Sequence, residues 1–388
     1  MGPLSGLRVV ELGGIGPAPF GTMLLADLGA EVWRIERPGV SSDADAFPPP
    51  GPFLSRNVSV LPVDLTDARG RELALRMTAH SDVVVEGFRP GVVERLGLGP
   101  EDVWSVAPRV NYVRMTGWGQ HGPRARQAGH DINYLAASGV LSLIGRRGEL
   151  PVPPLNLLGD FGGGGMLLAV GVLAAQYETA RSGRGQVVDA AMLDGAALLS
   201  TVVHEWRYAG AWRDERGANA IDGGAPFYDV YELHDGSLVA VGAVEKRFWI
   251  ELLRIIGLDE PWIVNGQHDR ARWGAIRREL AERLHALDEV TLTELLESDT
   301  ACVTRVATLG TLDDDENNRE RGLTIEVNGV RMPAPAPRFS RTPADHPVAA
   351  RDDPGRRAEI LSAVGLGEAE IAALFDEGVV GRDGGPAA

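Results

Sequence analysis

LRVVELGGIGPAPFGTMLLADLGAEVWRIE, residues 7–36, decides the fold class. Leu7 to Leu12 reads as a buried strand, and Gly13 to Pro19 as a glycine and proline loop. A helix then runs to about Leu28, and Glu31 to Glu36 forms a second strand. The alternation continues with a helix over Arg69 to Thr78 and strands over Asp82 to Val85 and Val110 to Thr116. Strands separated by single helices predict parallel βαβ units with right-handed crossovers, an α/β fold.

Further along, helical signals dominate. Asp160 precedes the glycine run Gly162 to Gly165 and an apolar helix to about Ala180. After the turn Ser182 to Gln186, a second long helix is expected over Val187 to Ala209. Arg216 to Pro226 is a glycine-rich linker. Beyond it, Tyr228 to Leu233 and Leu238 to Val244 alternate around the turn HDGS, as an antiparallel hairpin does. Helices over about Lys246 to Ile256, Ala271 to Ala286 and Leu292 to Ser298 complete a smaller α+β region. Pro333 to His346 lacks periodicity and reads as a return linker, followed by helices over Arg356 to Val364 and Glu368 to Phe375.

Of the 388 residues, 44% are hydrophobic and 24% charged, which excludes disordered, collagenous and disulfide-stapled chains. The net charge of -16 repels phosphate backbones, so no nucleic-acid partner is expected. A single cysteine, Cys302, permits no internal disulfide and reads as an inert buried thiol. The opening MGPLSGLRVVEL lacks the regions of a signal peptide, and the apolar run Met166 to Gln176 is too short to span a bilayer. A cytoplasmic protein without a membrane anchor is the expectation. The histidines show no metal spacing.

Five features are candidates for chemistry. Gly14-Ile15-Gly16 follows the opening strand, but a dinucleotide fingerprint needs a small residue where Pro19 stands. A different nucleotide-like ligand over the strand ends is therefore favoured. Arg37, Arg89 and Arg95 follow strand ends, where planar guanidinium groups bind phosphates; singly, each reads as a solvated surface arginine. Gly129 to Tyr134, GHDINY, clusters polar residues at a helix start, whose free N–H groups suit a developing oxyanion. His130 is there either a cap or a catalytic group. Asp160 is either an N-cap or a base or nucleophile on a turn whose glycines admit a ligand. Glu245 ends an apolar strand, and either faces solvent or orients a histidine.

These segments resemble the class III CoA-transferase family, and more narrowly its α-methylacyl-CoA racemases. The resemblance rests on residues 2–12, 24–38, 83–98, 115–134, 151–166, 182–195, 223–232 and 335–342. GHDINY, GDFGGG and the strand-end Glu245 carry the racemase likeness. It implies a large Rossmann-like CoA-binding domain over 1–209, a linker over 210–224 and a small α+β domain over 225–325. Residues 326–388 would be the return linker and C-terminal helices packing on the large domain. It also implies a homodimer of interlocked ring-like chains, with an acyl-CoA thioester as substrate. Arg37, Val63, Asp64, Leu65, Thr66, Gly87, Phe88, Arg89, Arg95, Gly129, Ile132, Asn133 and Tyr134 match CoA-contact positions. Thr66 stands where a racemase relative carries lysine, and Gly39 to Ser59 diverge from the relatives.

The resemblance implies inversion at C2 of a 2-methylacyl-CoA by 1,1-proton transfer through an enolate. His130 and Asp160 would be the two acid/bases, His130 acting on the S and Asp160 on the R substrate. Glu245 would support charged His130, and the N–H of Asp131 would hold the enolate oxygen. No cofactor is expected, coenzyme A being part of the substrate. CoA transfer with Asp160 as nucleophile is the alternative, and a non-catalytic acyl-CoA-binding protein is the third reading. The tail beyond Asp352 is expected to be dispensable for catalysis.

Overall fold

A computed structural model describes residues 2–39 and 52–381. Much of the divergent stretch Gly39 to Ser59 thus lies outside the described residues. The chain divides into two compact units, one of residues 1–138, 155–199 and 322–388, the other of 139–154 and 200–321. The expected boundaries had assigned 139–154 and 200–209 to the large domain.

In the first unit, β1 (Arg8–Leu12), β2 (Glu31–Glu36), β3 (Val58–Pro62), β4 (Val83–Glu86), β5 (Asn111–Thr116) and β6 (Val187–Ala191) form one parallel sheet. Its order is β3-β2-β1-β4-β5-β6. The order reverses between β1 and β4, and ligand crevices open beyond the strand ends at such a point. Alternate residues face opposite layers. Val10, Trp33, Leu61 and Val84 meet the Ala68–Ala79 helix on one side. Val9, Val32, Val58 and Val83 share the other side with the Pro17–Asp27 and Leu167–Ser182 helices. Burial on both faces explains the valine-rich strands.

Two strands of this sheet, β3 and β6, are absent from the sequence reading. Val187–Ala191 was expected to open a long helix. Instead it pairs with β5 in register, Tyr112 opposite Val187 and Thr116 opposite Ala191, and helices follow over Met192–Leu199 and Thr201–Tyr208. The C-terminal helices Pro354–Ala363 and Glu368–Asp376 insert Ile360, Leu361, Ile371 and Leu374 into the Val10–Trp33 layer. Val60 also donates its N–H to Arg351 O. The tail is therefore part of the core, which overturns the expectation that it is dispensable: losing it would strip one face of the sheet.

The second unit holds an antiparallel sheet of β7 (Tyr228–Glu232), β8 (Leu238–Gly242) and β9 (Val303–Arg305). Trp249, Leu252, Leu280 and Leu295 pack on its inner face. β8 stops at Gly242, so Glu245 does not end a strand; it is the exposed N-cap of the Lys246–Ile255 helix. Cys302 is partly exposed at φ 53°, not buried as expected.

Among the described residues one helical stretch, Leu157–Ser182, is long and apolar enough by composition to cross a membrane, with mean hydropathy 1.7. The sequence reading gives only the shorter apolar run Met166 to Gln176. The backbone instead passes through Gly162 to Gly165 as a π-helix, Leu157–Met166, without interruption. One third of the apolar window is buried.

Candidate active site

The loop after β1 and the loop after β4 flank the point where strand order reverses, and two cavities open around them. The first, of about 550 Å³, is lined by Ile15 and Gly16, by Phe88 and Arg89, by Met115 to Trp118 and by Gly129, His130, Tyr134, Asn156 and Asp160. The second, of about 510 Å³, takes its wall from Gly13 to Ile15, Arg37, Val63 to Thr66, Gly87 and Phe88. Phe88 belongs to both.

His130 occupies the N-cap of the Asp131–Ala137 helix, yet its ring does not cap it. Asn133 closes that end instead, accepting the His130 N–H at 3.0 Å on Oδ1 while its own N–H donates to the His130 carbonyl at 2.8 Å. The imidazole is exposed and has no hydrogen-bond partner among the described residues. The capping alternative is thereby removed. The N–H of Asp131, at the first helical position, has no intrahelical acceptor.

Asp160 is not an N-cap either. It is the fourth residue of the π-helix, half-buried, with Asn156 one turn earlier donating Nδ2 to Oδ2 at 3.4 Å. Gly16, at φ 60°, leaves room for this carboxyl: a Cβ there would stand 3.4 Å from Oδ2. Burial pushes the Asp160 carboxyl up to about 6, and the negative charge of Asp131 adds to that; Asn156 and His130 pull the other way.

The glycines after Asp160 serve packing rather than ligand approach, contrary to expectation. A Cβ on Gly163 would meet Ala196 N at 2.7 Å, and one on Gly165 would meet Pro17 O at 2.7 Å. They let the π-helix press backbone to backbone between the Pro17–Asp27 and Met192–Leu199 helices, which fixes Asp160 on rigid elements. Tyr134 is held likewise. Its ring fills the space that Cβ atoms on Gly117 and Gly129 would need, and meets Trp118 edge to face at 4.8 Å.

Beneath the loop after β4, Glu86 is wholly buried. Its Oε2 accepts the Phe88 N–H at 2.7 Å and its Oε1 accepts Arg114 Nε at 2.9 Å. Asp64 Oδ1 accepts both the N–H and the hydroxyl of Thr66, at 2.8 and 2.6 Å; these bonds lower its carboxyl below the usual range.

The structure thus brings His130, Asp160, Gly129, Tyr134 and Arg89 to one cavity and Arg37, Val63, Asp64, Leu65 and Thr66 to the other, with Gly87 and Phe88 at both. Ile132 and Asn133 are exposed and line neither, and Arg95 lies over Gly91. Glu245 belongs to the second unit. Sequence reasoning missed Asn156, Trp118, Glu86 and Arg114. Asn156 had a signal, four residues before Asp160 and hence on its helical face.

Residues 4–355 match CoA-transferase family III. Alpha-methylacyl-CoA racemase of Mus musculus is 42% identical over 98% of both chains. Succinyl-CoA:glutarate CoA-transferase of the same organism is 31% identical over 88% of this chain and 81% of its own. Among solved structures, a CAIB/BAIF family protein from Brucella suis superposes with a TM-score of 0.78 at 24% identity, covering 92% of this chain and 99% of its own, a likeness of fold.

Proposed function

The chain belongs to CoA-transferase family III, and on that footing we propose that it is a racemase of 2-methylacyl-CoA thioesters. The observation that carries the reading is that His130 and Asp160 line the same cavity. Inversion at a carbon requires removing the proton from one face and returning one to the other, so two groups of opposite protonation state must reach the same atom. His130, whose ring has no hydrogen-bond partner among the described residues, and Asp160, whose carboxyl burial pushes up to about 6, meet that need.

In the proposed cycle one of the pair takes the C2 proton, and the electron pair of the C–H bond moves into the thioester as an enolate. The other group then delivers a proton to the opposite face. The enolate oxygen is held by the N–H of Asp131 at the helix start. Glu245 supports charged His130, an assignment resting on family likeness. Coenzyme A lies in the second cavity, with Arg37 toward its phosphates. No further cofactor is involved, and the enzyme works in the cytoplasm.

The same reading includes a homodimer. Its support is an apolar face on the first unit: Met166, Val170, Leu173 and Tyr177 recur at helical spacing and all stay exposed, Tyr177 by 71%. A second copy would cover them.

The test is hydrogen exchange at C2 of (S)-2-methylacyl-CoA in heavy water, followed by NMR. Loss of the α-proton signal with the R epimer rising toward equality is expected. Binding without exchange, but with CoA passed to a free carboxylic acid, would favour the transferase, for which Asp160 supplies the nucleophile.

A further inference from the structure

We infer that the side chain of Asp131, not only its backbone, is a positioning residue for Asp160: its carboxylate grips the first turn of the glycine-rich segment and, as a second buried acid, sets how the pair shares a proton.

Asp131 is 7% exposed, at the start of the Asp131–Ala137 helix. Its Oδ2 accepts the Asp160 N–H at 2.7 Å, and the Gly159 N–H also stabilises it. Gly159 must be glycine, since a Cβ there would fall on the Asp131 carboxylate. The other oxygen, Oδ1, is buried with no hydrogen-bond partner among the described residues. A buried carboxylate with one bare oxygen and no cation is costly in its charged form. Burial accordingly pushes Asp131 upward as well, against the two backbone N–H groups.

Among the described residues no cation is paired with Asp131, while the charge of His130 acts on Asp160 alone of the two. The Asp131–Ala137 helix brings Tyr134, and His130 lies at its cap. The Met192–Leu199 helix carries Asp194, which is exposed. Asp27 on the Pro17–Asp27 helix is paired with Arg56, Arg114 on β5 with Glu86, and Asp189 on β6 accepts the Gln120 N–H. Glu178 and Arg181 lie at the far end of the Leu167–Ser182 helix. Arg89 faces Tyr134. Two acids that cannot both ionise cheaply titrate as a unit, and one bound proton is the lowest-cost state over an intermediate pH range. That single proton gives the site one acid alongside a base, the inventory a proton-returning isomerisation needs; this consequence rests on the racemase reading, the coupling does not.

The test uses the ligand-free enzyme with carboxyl-labelled aspartate. In Asp131→Asn an oxygen still accepts the Asp160 N–H but the charge is gone, so Asp160 should titrate at lower pH than the wild-type value of about 6. The acid limb of kcat should move the same way in both directions of turnover, with KM little changed. An unmoved Asp160 midpoint would overturn the inference. Should Asp131→Asn not fold, the wild-type titration decides: both carboxyl signals should show the same two steps, and independent single steps would sink the coupling. Failure of the racemase reading would appear separately, as absent C2 exchange in an enzyme whose acids still titrate together.

Discussion

Arg114 Nε donates to Glu86 Oε1 at 2.9 Å between residues directly opposite each other on adjacent parallel strands, and the other oxygen of Glu86 holds the Phe88 N–H. A buried ion pair thus sits under the loop after β4, which with the loop after β1 walls both cavities. Glu11 and Arg34 repeat the arrangement one strand pair away, also in register and 2.8 Å apart. Acid and base inside a parallel sheet are costly unless paired, and here the pair also anchors a cavity-lining loop.

Replacing Glu86 by Gln should raise KM for the thioester more than it lowers kcat, because it loosens Phe88 without touching the reacting carbon. Removing the partner of a buried guanidinium should also cost roughly 1–3 kcal/mol of stability. Burial pushes Glu86 from its ordinary 4.5 up to about 7 despite Arg114. Between those pH values the folded protein binds this proton more readily than the unfolded chain, so stability falls as pH rises through the window. Melting temperatures across it should decline in the wild type and less so in Glu86→Gln; parallel slopes would contradict the account.

His130→Ala should cut C2 proton exchange by on the order of 10²–10⁴-fold, the contribution of one positioned acid/base. Asp160→Asn should abolish inversion and CoA transfer alike, leaving exchange of the S substrate through His130. Assaying both variants for exchange and for CoA capture by a free acid separates the readings. Full exchange of the S substrate in His130→Ala would remove histidine from the mechanism.

Gly195→Ala should destabilise strongly, since its Cβ would enter the backbone of Gly163, with nothing flexible to give way. Gly274, in the Trp273–His285 helix, has nothing within 4 Å of the same position. Gly274→Ala should therefore stabilise by about 0.5–1 kcal/mol through helix propensity. Urea titrations of the two variants should move in opposite directions.

A chain ending at Ala350 should fail to fold into soluble protein, because Ile360, Leu361, Ile371 and Leu374 leave the core together. Leu361→Ala alone should cost about 2–5 kcal/mol, the range for emptying a fully buried leucine site. A soluble, active truncation would show the sheet face can be covered some other way.

The opening βαβ order, the hairpin Tyr228 to Leu233 with Leu238 to Val244 and the two terminal helices were legible because each is carried by local spacing. Apolar periodicity, turn residues and capping act within a few positions. Strand β6 was not, because Val-Val-Asp-Ala-Ala followed by an apolar helix fits either conformation, and hydrogen bonds to β5 decide between them. The work of Gly163 to Gly165 was hidden for the same reason: a glycine run looks alike whether a ligand or another helix lies against it.

The sequence by itself determined the parallel α/β order, the acidic surface and the residue types able to move a proton. Only the folded chain shows that the tail is core, that Asn133 caps the helix and leaves the His130 ring without a hydrogen-bond partner among the described residues, and that Asp131 holds the Asp160 N–H across 29 residues of chain. Burial and charge proximity set whether a carboxyl keeps its proton, and neither is a property of neighbouring letters.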